Sequence, residues 1–116
     1  MIEVSRPRAL EQLGIDARSI VRDGPPVWLS ITGHGRSGDA AHRVGFGDDA
    51  AAAGGLVEWA ADQPRLAGDA VADPLAGLTG ALAIVEALRR GGRHLIDVAL
   101  SRVAAAVAHS DDPAGL

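Results

Sequence analysis

The chain of 116 residues contains no cysteine, no lysine and no tyrosine, and its aromatic residues are limited to Trp28, Phe46 and Trp59. Without cysteine there is no disulfide framework, no thiolate zinc site and no thiol nucleophile, which is compatible with a reducing cytosol. Without lysine, Schiff-base and P-loop lysine chemistry are excluded. Any phosphate or carboxylate must then be recognised by arginine forks or backbone N–H groups. No apolar run approaches membrane-spanning length, and Met1-Ile2-Glu3-Val4-Ser5 lacks the basic-then-apolar layout of a signal peptide. The formal charge is −4 and the arginines are scattered, so no basic stripe marks a nucleic-acid surface. These absences predict a cytoplasmic protein with no membrane or nucleic-acid partner.

What is present fits one modest α/β domain, since 47% of the residues are hydrophobic. That is small for an enzyme with two substrates. A short apolar segment, Ile2 to Ser5, reads as the tail of a strand, and Arg6-Pro7 opens a helix that runs to Leu13 and stops at Gly14. Asp16 to Ile20 adds one helical turn. After the breaker Asp23-Gly24-Pro25-Pro26, the near-continuous apolar run Val27 to Thr32 predicts a buried parallel strand. It leads directly into Gly33-His34-Gly35-Arg36-Ser37-Gly38. In open α/β sheets ligands gather beyond the carboxyl ends of strands, where this loop lies.

Ala50 to Ala61 reads as an alanine-rich helix interrupted by Gly54-Gly55, with Leu56, Val57 and Trp59 as its packing surface, and both tryptophans are expected in the core. Asp62 to Ala72 reads as a loop. In the helix that follows, Leu75, Leu78, Leu82, Val85 and Leu88 recur at spacings of three and four, widened by Ala81 and Ile84, and predict the buried face. Arg89 and Arg90 suit its C-terminal end, and Gly91-Gly92 terminates it. A strand at 95–100 and a helix from Ser101 to about His109 complete a partial Rossmann-like sheet with flanking helices. The expected domain covers residues 1–110, with 111–116 as a frayed tail. The four histidines have no metal-like spacing.

Asp73 precedes Pro74, and proline favours the first helical position, so Asp73 is expected at the N-cap. A cap carboxylate accepts first-turn N–H groups and stays ionised near the positive end of the helix dipole. That place is compatible with a purely structural cap and with a carboxylate nucleophile. The residues alone leave both open.

The order Ser5-Arg6-Pro7, Leu10, Leu13-Gly14, then Leu29-Ser30-Ile31-Thr32-Gly33-His34-Gly35, then Asp73-Pro74, then Gly91 and Ile96-Asp97-Val98-Ala99-Leu100 resembles the family III CoA-transferases, which include formyl-CoA transferase, carnitine CoA-transferase and α-methylacyl-CoA racemase. Each motif alone is weak; four in order are far more specific. The likeness spans Ile2 to about Ala108 but only the middle portion of the longer family members, so the chain is expected to be a truncated segment.

The resemblance implies an acyl-CoA:carboxylate CoA-transferase that moves CoA between carboxylic acids, with Asp73 as the nucleophile, acyl-CoA and an acceptor acid as substrates, and no metal. It implies Arg6 as a CoA contact, with a solvated arginine as the alternative. Gly33 and Gly35 match the family's Gly-x-Gly and are expected near CoA, with a plain tight turn as the alternative. Arg8 stands where the family often has glycine. His34 is given no chemistry. In the racemase branch a histidine precedes an aspartate in the segment matched by Asp48-Asp49; Asp48 in the histidine's place argues against racemisation. Asp49 reads as a helix cap and Asp97 as a strand-end polar group. The alternatives are a CoA-thioester racemase or isomerase, and a non-catalytic truncated remnant that binds CoA or joins a full-length relative. Family members form interlocked dimers, so a homo-oligomer or association with a complementary chain is expected.

Overall fold

The computed structural model describes residues 1–110; the expected frayed tail, 111–116, lies outside the described residues. The elements in chain order are β1 (Ile2–Glu3), α1 (Pro7–Gln12), α2 (Ala17–Asp23), β2 (Val27–Thr32), α3 (Gly47–Ala53), β3 (Val57–Ala60), β4 (Gln63–Leu66), α4 (Ala72–Arg90), β5 (His94–Ala99) and α5 (Leu100–Ala108). β1, β2 and β5 form a parallel sheet in the order β1-β2-β5, with Leu29 level with Ile2 and Ile96, and Ser30 level with Glu3 and Asp97. The α/β class predicted from the sequence is the class observed.

Successive β2 side chains serve opposite faces of the sheet. Trp28 packs with Leu10, Ala17 and Val21 of α1 and α2, whereas Leu29 packs with Ala50, Ala51, Ala72, Ala76, Val98, Leu100 and Ala104 from α3, α4, β5 and α5. This two-sided burial accounts for the unbroken apolar run from Val27 to Leu29. The remaining inward residue, Ser30, is fully buried and donates to Glu3, whose carboxylate also accepts from the Arg36 guanidinium at 3.2 Å. Asp16 is the N-cap of α2. Its carboxyl is held below its ordinary value by the Ser19 hydroxyl and the Arg18 N–H.

Three local expectations are corrected. The Gly54-Gly55 pair ends α3 instead of interrupting a longer helix. A Cβ at Gly54 would lie 2.5 Å from Cβ of Ala104 and 2.6 Å from the Ser101 carbonyl, so α3 crosses α5 almost backbone to backbone. Val57 to Leu66 is an antiparallel hairpin, not helix and loop, and Trp59 is 71% exposed opposite Pro64. In α4 the buried residues are Ala72, Ala76, Gly80 and Ala87, while Leu78 and Leu82 are 72% and 71% exposed. The physical reason is close approach: a Cβ at Gly80 would stand 2.9 Å from Cδ2 of Leu29, a separation from the sheet that only small residues permit. Ile84 alone among the larger residues expected on that face packs against the same core.

Candidate active site

Beyond the carboxyl end of β2 the chain turns at Gly33 and Gly35 and returns through Ala41 to Phe46. The loop is tied down from three sides. Asp97, level with Ser30 on β5, accepts the Arg36 N–H at 2.9 Å and the Thr32 hydroxyl at 3.3 Å, and Thr32 in turn accepts the Gly35 N–H at 2.8 Å. The Ser101 N–H donates to the Gly33 carbonyl at 3.1 Å, and His34 Nδ1 lies 3.2 Å from the Ser101 hydroxyl. Gly33 also faces the returning strand of the loop, since a Cβ there would lie 3.0 Å from Cα of Gly45. Asp97 thus holds the glycine loop in place, and His34 is a loop tie.

Between this loop and the segment after β1 lies a cleft of about 190 Å³. Arg6, Gly33 and Asp73 all line it, so three residues from distant parts of the sequence meet at one site. Most of the remaining wall is apolar: Val4, Pro7, Ile31, Val44, Phe46 and Leu100. Arg43, which no sequence motif marks, is the third ionisable residue on the wall. Gly35 is not on the lining. Its φ is +102° and a Cβ there would meet the Arg102 guanidinium at 3.2 Å, which is the geometry of a tight turn.

Asp73 is not the N-cap. The helix begins two residues earlier than expected, at Ala72 with Val71 at the cap position, and Asp73 lies inside the first turn with no side-chain hydrogen bond or ion pair among the described residues. Pro74 therefore occupies the third helical position, not the first. No first-turn N–H is left to serve the carboxylate: the Asp73 N–H donates to the Ala70 carbonyl at 3.0 Å, Pro74 has none, and the Leu75 N–H donates to the Val71 carbonyl at 3.4 Å. What bounds the Asp73 carboxylate is Gly47. A Cβ at that position would lie 2.6 Å from Oδ2 of Asp73 and 2.8 Å from Cα of Ala70. Asp48 points elsewhere and accepts the Ala70 N–H at 2.7 Å, fixing the turn before α4. Asp49 accepts the Phe46 N–H at 3.4 Å and so supports the start of α3 from within its first turn. Among the described residues no group of three or more histidines and carboxylates is placed to hold a metal.

A family model described as CoA-transferase family III matches residues 1–111. The chain belongs to that family. Among solved structures, a CAIB/BAIF family protein from Brucella suis is 31% identical, with a TM-score of 0.80 over 94% of this chain. No curated protein matches. The chain spans 31% of the length of the Brucella suis protein. In this family III chain Arg6 precedes the first turn of α1, with its carbonyl accepting the Ala9 N–H at 2.8 Å and its exposed side chain beside the cleft. No helix among the described residues is long and apolar enough to cross a membrane.

Proposed function

We propose that the cleft is the acyl-transfer site of an acyl-CoA:carboxylate CoA-transferase, with Asp73 as the nucleophile and Arg6 as a contact to CoA. The observation that carries this reading is a carboxylate on the wall of an apolar cleft, with no partner to hold its lone pairs and with Gly47 leaving it room. An oxygen of Asp73 attacks the thioester carbonyl, the C–S bond breaks, and CoA leaves as its thiolate, giving an acyl-aspartyl anhydride. The thiolate attacks the aspartyl carbonyl, expelling the acyl group as a carboxylate and leaving an aspartyl-CoA thioester. The acceptor carboxylate attacks that thioester, forming a new anhydride and releasing the thiolate again. Attack of the thiolate on the acceptor's acyl carbon yields the new acyl-CoA and frees Asp73.

The only ionisable groups on the cleft wall among the described residues are Arg6, Arg43 and Asp73. That supports transfer over racemisation, which needs an acid and a base to exchange an α-proton. Incubation of the chain with an acyl-CoA, followed by mass spectrometry, is expected to show a hydroxylamine-sensitive adduct on Asp73 that is absent in Asp73→Ala. Exchange of an α-deuteron without an adduct would select the racemase instead.

A second reading has its own support in the open apolar stripe of α4. The chain then acts only in association, as a homo-oligomer or with a complementary chain, and binds CoA weakly when alone. The lack of cysteine supports a cytoplasmic setting for either reading.

A further inference from the structure

The cleft carries two guanidinium groups, on two separate walls: Arg6 follows β1, and Arg43 lies on the return of the glycine loop. Neither forms an ion pair among the described residues, so both are free to meet an anion. Arg43 is held by its backbone. Its N–H donates to the Ala40 carbonyl at 3.0 Å, and the buried Ala41 donates to Gly38 at 3.1 Å. Around it Val44, Phe46, Ile31, Val4 and Leu100 present hydrocarbon to the cleft.

Resting on the transferase reading, we infer that Arg43 binds the carboxylate of the acceptor acid and that the acid's tail is apolar. Transfer brings two kinds of anion to one cleft, the phosphates of CoA and the acceptor's carboxylate. An acceptor approaching the Asp73 side of the cleft needs a cation to offset the repulsion between carboxylates, and the planar fork of arginine accepts a carboxylate by two parallel hydrogen bonds. With Arg6 assigned to CoA, a second carboxylate on the acceptor would meet hydrocarbon and no further cation on the cleft wall, which favours an apolar tail.

The test is calorimetric titration of the full chain with isovalerate, succinate and CoA. Isovalerate is expected to bind at millimolar concentration and more tightly than succinate. Arg43→Gln is expected to weaken isovalerate about tenfold, as loss of a charge-assisted pair does, with CoA affinity unchanged within about twofold. Arg6→Gln should do the reverse, and Arg43→Lys should recover part of the isovalerate affinity. Circular dichroism matching the parent chain shows that the variants fold. Loss of CoA affinity in Arg43→Gln with isovalerate unaffected would make Arg43 a phosphate contact and overturn the inference, as would equal binding of succinate or no binding of isovalerate. If isovalerate binds through Arg43 while no adduct forms on Asp73, the inference stands and the transfer reading falls.

Discussion

At the scale of single residues the site depends on an absence of side chain as much as on a carboxylate. Gly47 faces Asp73 so closely that the first carbon of any side chain would collide with Oδ2 at 2.6 Å and with Ala70 at 2.8 Å. The Ala70 contact is backbone in the turn before α4 and cannot yield, so the carboxylate tip of Asp73 is the group that must move. Gly47→Ala is therefore expected to push Asp73 out of place. Displacing a reacting group by about 1 Å can cost about 100-fold in rate, and crowding of this kind costs about 1–3 kcal/mol in stability. The check is the rate of adduct formation on Asp73 measured beside a urea titration. A variant that loses stability while keeping the full rate would show that Gly47 serves packing alone. Asp73→Asn separates the two effects from the other side, since it keeps the shape and removes the charge.

At the scale of elements, α4 reverses what its sequence announces. Leucines at spacings of three and four normally mark the face that meets the core. Here the small residues Ala72, Ala76 and Gly80 meet the sheet, because only they allow the helix to lie against Leu29. Ala76→Leu is expected to cost about 1–3 kcal/mol by overpacking. Leu78→Gln, at an exposed position, should change stability by no more than about 0.5 kcal/mol. Urea denaturation of the two variants decides the matter, and the opposite order would restore the leucine face to the core.

The same logic separates what the sequence discloses from what it hides. β2 and its parallel neighbour β5 were legible because two-sided burial leaves a continuous apolar run, and Gly14 and Gly91 ended helices where a positive φ was needed. The β3–β4 hairpin was hidden because its tip, Ala61-Asp62, takes positive φ at both residues without the glycine or asparagine that usually signals such a turn. Asp73, Arg6 and Gly33 were legible only through their order along a family pattern. Arg43 and Gly47 carry no local signal, since the meaning of Gly47 arises from Ala70 and Asp73, 23 and 26 residues on, and that of Arg43 from a cleft shared with Arg6 and Asp73.

At the scale of the whole molecule the open face of α4 becomes a question of area. A compact chain of this mass exposes about 5,900 Å² and has a radius of gyration of about 13 Å. This one exposes 7551 Å² and has a radius of 15.6 Å. The excess, about 1,600 Å², is larger than the ~800 Å² that one partner commonly contributes to a stable interface. Leu75, Leu78, Leu82 and Val85 follow one another at intervals of three, four and three, which is the spacing of a coiled-coil seam. Two copies set antiparallel would layer Leu75 on Val85 and Leu78 on Leu82, so the stripe is complementary to itself. Association binds the folded state only, so melting temperature should rise with protein concentration, and sedimentation equilibrium should give a mass above 11.8 kDa at the highest loading. Leu78→Glu with Leu82→Glu should remove both effects and leave the circular dichroism of the monomer intact, because these positions face away from its core. A wild-type chain that stays monomeric, with a melting temperature independent of concentration, would leave a complementary chain as the occupant of that face, and adduct formation on Asp73 should then appear only when that chain is added.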